Sequence, residues 1–223
     1  MLATNCHVFR LIGFVTLLHQ KAVMKFIIEK SLAQSYSYTD YRNRIKILLK
    51  EGKSTGDEQS EALTHYSELN ESRLNRLEKT IVIADEYVDK LQLLEKEYIW
   101  IVISEGWCGD AAQILPVIYK MAQFSTNIEL KIVFRDENYS LINLFLTNGT
   151  KSIPKLIILD KRTLEILGDF GPRPFGATQL ILDYKKQYGL VDEKAKTDLQ
   201  LWYLHDKGLS IQKEIMDVMA ALE

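Results

Sequence analysis

Apolar residues fall at helical spacing from Ser37 onward. Tyr38, Tyr41, Ile45, Leu48 and Leu49 share a face, with Ser37 placed to cap the helix and Asp40 in its first turn. Gly52 ends this helix and residues 53–57 make a turn. Leu63, Tyr66, Leu69, Leu74 and Leu77 then mark a longer helix that pairs with the first as a hairpin. A third, shorter helix is predicted over Asp85–Glu97. The period changes at Tyr98-Ile99-Trp100-Ile101-Val102-Ile103, a continuously apolar run rich in β-branched and aromatic residues, as expected of a strand covered on both faces. Helical spacing returns over Gly109–Phe124, a second strand follows over Ile128–Phe134, and a helix over Asn138–Leu146 is ended by Asn148-Gly149, with Gly149 at positive φ. Leu156–Leu159, a turn at 160–163 and Leu164–Leu167 read as an antiparallel hairpin. A helix over Phe175–Tyr188 completes the unit. The tail from Asp192 to Leu222 is helical with a break near Gly208-Leu209-Ser210, where Ser210 is placed to cap a last helix carrying Ile211, Ile215, Val218 and Leu222 on one face. Leu199 and Trp202 mark the buried stripe of the helix before that break.

This order predicts an α/β chain whose central unit, 98–189, is a mixed sheet flanked by helices. Residues 24–97 and 190–223 are helical extensions that pack on the sheet. Residues 1–23 contain no acid, Arg10 and Lys21 as their charges, and an apolar run from Leu11 to Leu18. That run is far shorter than the roughly 20 residues that span a bilayer, and Leu18-His19-Gln20-Lys21 offers no small-residue cleavage site. Met24 followed by Lys25-Phe26-Ile27-Ile28-Glu29 makes an ordinary cytosolic start, so residues 1–23 read as an extension of the true chain and the setting as cytoplasmic. Export is the alternative if residues 1–23 are a signal segment.

With 28 basic against 30 acidic residues and no lysine or arginine run, the chain has no electrostatic footprint for nucleic acid or an anionic membrane. Cys6 and Cys108 are too few for a disulfide framework or a thiolate metal site, which suits a reducing compartment. His7, His19, His65 and His205 show no metal-ligand spacing, and none lies near Cys108 in sequence, so neither a metal nor a cofactor is expected.

The chemistry concentrates at Trp107-Cys108-Gly109-Asp110-Ala111, where the apolar strand runs into a cysteine that opens a helix. Free N–H groups and the helix dipole at such a junction favour a thiolate and can lower a cysteine pKa from about 8.5 to between about 3.5 and 7.5. Asp110 acts the other way. A carboxylate about 6 Å from the sulfur costs the thiolate about 0.7 kcal/mol in water and about 2.8 kcal/mol at an effective dielectric of about 20. Asp110 also reads simply as a first-turn carboxylate that stabilises the helix.

Trp107-Cys108-Gly109 at the first strand-to-helix junction, within the order β-α-β-α-β-β-α, resembles the thioredoxin superfamily. Two further positions agree: Pro116, where thioredoxins bend the active-site helix, and Ile153-Pro154 before a strand, which resembles the family's cis-proline. The stretches Glu105–Gln113, Arg135-Asp136-Glu137-Asn138, Thr147-Asn148-Gly149 and Ser152-Ile153-Pro154 are similar to bacterial thioredoxin-like proteins with helical extensions. The resemblance implies that Cys108 is the candidate nucleophile, a role in cell redox homeostasis, and a substrate groove framed by Trp107, Gly109, Asp110, Ile153 and Pro154. Arg135 follows a strand at the same sheet end and is an auxiliary candidate facing Cys108 or an anionic thiol; Asp136 reads as the N-cap of the next helix. Glu105 reads as a solvated loop residue, and Trp107 as packing beside the loop.

The departures from the family narrow the activity. Thioredoxins resolve the mixed disulfide with a second thiol, and that position is Ala111; their buried acid corresponds to Val102. Dithiol reductase chemistry is thereby disfavoured. The resemblance leaves monothiol exchange through Cys108 with protein or low-molecular-weight thiols and disulfides, released by an external thiol. The alternative is a redox-inactive binding or adaptor module that uses the groove and the helical extensions.

Overall fold

Every residue of β1 (Tyr98–Ser104) is buried in the structure, a computed structural model that describes residues 4–222, with side chains from residue 19 onward. The strand lies between β2 (Ile128–Phe134), which runs parallel to it, and β3 (Lys155–Asp160), which runs antiparallel. β4 (Ile166–Phe170) closes the far edge antiparallel to β3, giving the order β2-β1-β3-β4. Val102 stands opposite Ile132 on one side and Leu156 on the other.

Strand side chains alternate between faces, so the continuous apolar run feeds two cores. Tyr98, Trp100 and Val102 join Ile132, Leu156 and Ile158 in the larger one. Ile99, Ile101 and Ile103 join Val133, Ile157 and Leu159 in the smaller. The first core is covered by α2 (Tyr38–Lys50), α3 (Glu61–Thr80) and α5 (Gly109–Ala122), with α8 (Glu193–Asp206) and α9 (Leu209–Ala220) adding Leu199, Tyr203, Ile211 and Ile215. The second is covered by Ile28 of α1 (Thr4–Ala33) and by Leu141 and Ile142 of α6 (Tyr139–Ile142); Cys108, Ala111 and Ile153 belong to it. α4 (Asp85–Gln92) and α7 (Phe175–Tyr188) complete the order of elements. The mixed sheet flanked by helices is a thioredoxin-like α/β fold with helices added at both ends. Tyr36 pairs with Ile132 through N–H···O bonds of 2.8 and 2.9 Å and so covers the β2 edge.

Several local expectations hold. Ser37 Oγ accepts the Asp40 N–H at 3.1 Å, and the last long interior helix spans Phe175–Tyr188. Others need correction. α4 stops at Gln92, and α6 has four residues where a longer helix to Leu146 was expected. The chain after α6 instead makes a two-residue turn, in which Thr147 and Thr150 exchange backbone bonds of 2.9 and 3.0 Å across Asn148 (φ 49°) and Gly149 (φ 75°). Gly149 does adopt positive φ, for the turn and not as a helix end. β4 begins at Ile166, later than expected, because Asp160 Oδ1 accepts three bonds from Arg162 and Thr163 and holds a longer turn through Leu164. Ser210 lies inside α9 and Gly208 is its cap, at φ 80°. The expectation for residues 1–23 falls partly outside the described residues; from Thr4 the backbone is α1, which runs through Met24 to Ala33.

Candidate functional site

Cys108 is the N-cap of α5, at φ −78° and ψ 113°. Its Sγ accepts the Ala111 N–H at 3.5 Å, while its thiol donates to the Ile153 carbonyl at 3.4 Å. The Ile153-Pro154 peptide is cis, so the residue before the proline turns its carbonyl toward the sulfur. A second cis bond, Gly171-Pro172, escaped the sequence reading. Gly171 sits at φ 119°, and a Cβ there would meet the Pro154 carbonyl oxygen at 2.3 Å, so this close approach of two chain segments requires glycine.

The thiol is 8% exposed and is pushed up to about 12, first by burial and then by the nearby Asp110 carboxylate. The Ala111 and Asp110 N–H groups and Arg173 oppose this without overcoming it. The helix terminus therefore loses the contest with desolvation. Asp110 lies in the first turn of α5 as expected, but its role extends beyond the helix. Arg173 pairs with its Oδ2 at 2.7 Å and the Tyr203 hydroxyl donates to Oδ1 at 2.8 Å. Burial opposes the Arg173 charge, yet Asp110 holds the guanidinium above its ordinary value.

Arg135 stacks over the Trp107 ring at 4.9 Å and donates to Asp136 Oδ1 at 2.7 Å. Asp136 also accepts the Asp57 N–H at 3.1 Å and caps no helix; Asn138 holds the N-cap position of α6. Glu105 departs most from expectation, since it is 0% exposed where a solvated loop residue was anticipated. The cause is the covering chain. Gly106 donates to Thr55 Oγ1 at 2.8 Å and accepts from Asn70 Nδ2 at 2.9 Å, which fastens the α2–α3 segment over the loop. Glu105 Oε1 accepts the Asp136 N–H at 3.0 Å, whereas Oε2 is buried without a hydrogen-bond partner among the described residues. Burial pushes this carboxyl up to about 7, against the pull of Thr55 and the Asp136 N–H.

Trp107, Cys108, Gly109, Asp110, Arg135 and Ile153 all line one cleft of about 760 Å³, whereas Pro154, expected to frame the groove, is not among its lining residues and joins it only through the cis bond to Ile153. The other walls come from the helical extensions, which the sequence offered no means to connect with the motif. Arg73 of α3 and Gln200 of α8 converge on Gly109, where a Cβ would stand 3.7 and 3.6 Å from them. Gln200 is held by a 2.7 Å bond from Gln113. Among the described residues no cluster of three or more His, Cys, Asp or Glu is arranged to hold a metal ion, and no helix is long and apolar enough to cross a membrane.

Chemically, the cleft can receive a ligand against a protonated thiol, a cis-proline carbonyl and several cations. A family model described as Thioredoxin matches residues 56–188. A crystal structure of a protein of unknown function from Pseudomonas aeruginosa superposes with a TM-score of 0.53 at 19% identity, covering 70% of this chain and 86% of that one. The crystal structure of an HIV epitope-scaffold gives a TM-score of 0.52 at 19% identity, covering 84% of this chain and 100% of that one. At such identity both likenesses concern the fold alone. No curated protein matches the chain.

Proposed function

This chain belongs to the thioredoxin family, and from that premise we propose that it is a binding protein that holds a ligand in the cleft over Cys108, with the thiol protonated at rest. The observation that carries this reading is the Cys108 thiol itself: buried, donating to Ile153 and pushed up to about 12. The thiolate is the nucleophilic form, and a group that titrates so high supplies almost none at neutral pH. Ala111 supplies no second thiol, and Val102, fully buried in the larger core, supplies no acid. Alkylation of Cys108 across a pH series tests the reading. The rate is expected to keep climbing past about pH 9; a plateau with a midpoint below about pH 8 would overturn it.

Monothiol exchange is the second reading, favoured by the Ala111 N–H that reaches Sγ at the start of α5, a contact that suits an anion. In it, Cys108 loses its proton to solvent base and attacks one sulfur of a disulfide R–S–S–R′. The Cys108–S–R bond forms, the S–S bond breaks, and R′S⁻ leaves and takes up a proton. An external thiolate R″S⁻ then attacks the R sulfur, forms R–S–S–R″ and returns the Cys108 thiolate. A cytoplasmic setting with protein or low-molecular-weight thiols belongs to this reading. Recovery of mixed disulfides on Cys108 under non-reducing conditions, absent from Cys108→Ala, would favour exchange over binding alone.

A further inference from the structure

We propose that the cleft over Cys108 takes a small organic anion, its acidic group bound by Arg73 and Lys151 and its apolar body laid against Trp107, Ile153 and Leu199. The inference rests on the reading of this cleft as a binding site and names the class of ligand.

Charge is the first support. The chain has a net charge of −2, yet five cations line this cleft against two carboxylates. Arg173 is paired with Asp110, Lys196 with Glu193, and Arg135 with Asp136. Two cations remain. Arg73 donates to Asn70 Oδ1 at 2.7 Å and has no carboxylate at ion-pair distance among the described residues; burial and the nearby Arg76 together hold its guanidinium below the ordinary value. A half-buried guanidinium that is partly desolvated and repelled by a like charge gains from any anion that reaches it. Lys151, on the loop before Pro154, stands over the Tyr139 ring at 4.4 Å and likewise has no carboxylate partner among the described residues. A concave surface with an excess of one sign concentrates ligands of the other.

Shape is the second support. A cleft of about 760 Å³ falls within the range of small-molecule sites, roughly 300–1,000 Å³. Helices α3 and α8 wall it, bringing Arg73 and Gln200 to within about one atomic contact of Gly109, the first residue of α5. These side chains narrow the cleft beside Gly109, which suits a small body. The apolar side chains between the cations leave room for a ligand that is more than an inorganic ion.

Two probes with one aromatic body separate charge from shape: 1-naphthaleneacetate and its uncharged amide, titrated calorimetrically into the full chain at low salt. The acid is expected to bind at least about tenfold more tightly than the amide. This preference should shrink in about 0.5 M salt, fall in Lys151→Gln and be abolished in Arg73→Gln, while Cys108→Ala retains it. If Arg73→Gln does not fold, the exposed Lys151 variant and the salt series decide. Equal affinity for acid and amide, no binding of the acid, or a preference indifferent to both cation variants overturns the inference. Equal affinity would remove the anion and leave the binding-protein reading standing; that reading falls separately, on the titration of Cys108.

Discussion

Helix α3 contributes to two ionic regions that differ in one respect. On the face toward α2, Arg42 is closed in completely. Its guanidinium meets Glu71 in two bonds of 2.9 Å, donates to Asn75 Oδ1 at 3.0 Å, and also bonds Glu78, with the side chain only 4% exposed. Burial opposes its charge, and the Glu71 bonds more than restore it. On the face toward the cleft, Arg73 has a single amide partner and no acid. A network that satisfies itself fastens two helices; a cation left facing a cavity is an incomplete site. Counting charged residues along α2 and α3 would not separate the two, because the distinction lies in which neighbours Arg42 and Arg73 each find.

The sharpest way to break this contrast is Arg42→Met. It leaves Glu71 and Glu78 without their cation, and a loss of about 3–5 kcal/mol in urea unfolding is expected, as for other buried pairs deprived of one partner. A loss below about 1 kcal/mol would erase the difference between the regions.

Glu105 gives the next largest effect, through pH. Its folded-state pKa, about 7, lies above the ordinary 4.5, so the folded chain holds this proton where the unfolded chain has released it. Stability should therefore fall as pH rises from about 4.5 toward 7 and level off above, by an order of about 3 kcal/mol from this group. Glu105→Gln should flatten that part of the pH–stability curve. An unchanged slope would mean that the carboxyl is solvated after all.

Asp110→Asn acts on the sulfur. Removing the carboxylate lowers the Cys108 pKa, and alkylation at about pH 8 should rise by about 3- to 100-fold, corresponding to half a unit to two units. Tyr203→Phe keeps the Asp110–Arg173 pair and should change the rate less. A larger effect from Tyr203→Phe would assign the control of the thiol to the wrong group. Smallest of all is the exposed pair Lys194–Asp198 within α8: Lys194→Gln should cost no more than about 0.5 kcal/mol by thermal or urea unfolding.

The strands were legible because their signal is local. A run such as Tyr98–Ile103 or Leu156–Leu159 is short, apolar on consecutive residues and rich in β-branched or aromatic side chains or bounded by turn signals, which together suit a strand buried on both faces. Helix α2 was legible through Ser37, whose cap bond involves a residue three positions away. Helix α6 was overread because polar and apolar residues continue at helical spacing past Ile142, while the Asn148-Gly149 turn that competes with it lies downstream. The same local logic makes Asp136 and Ser210 caps. Each is instead bound elsewhere, Asp136 by Arg135 and the Asp57 N–H, Ser210 by Asp206 one turn back.

What the sequence determined by itself is the α/β order of elements and the position of Cys108 at a strand-to-helix junction, both of which follow from short-range pattern. The cis bond at Pro154 and the absence of a second thiol at Ala111 and of an acid at Val102 came with the resemblance to thioredoxins, and the structure shows that cis bond. The state of the thiol was decided by tertiary structure. Whether the helix terminus or the Asp110 carboxylate prevails depends on how much water reaches the sulfur, and Cys108 is buried, with its thiol turned onto the Ile153 carbonyl. The burial of Glu105 depends on Thr55 and Asn70, and the walls of the cleft on Arg73 and Gln200, all far from the motif in sequence. Desolvation and charge pairing are set by distance in space, and no spacing along the chain encodes which of those distant residues will arrive.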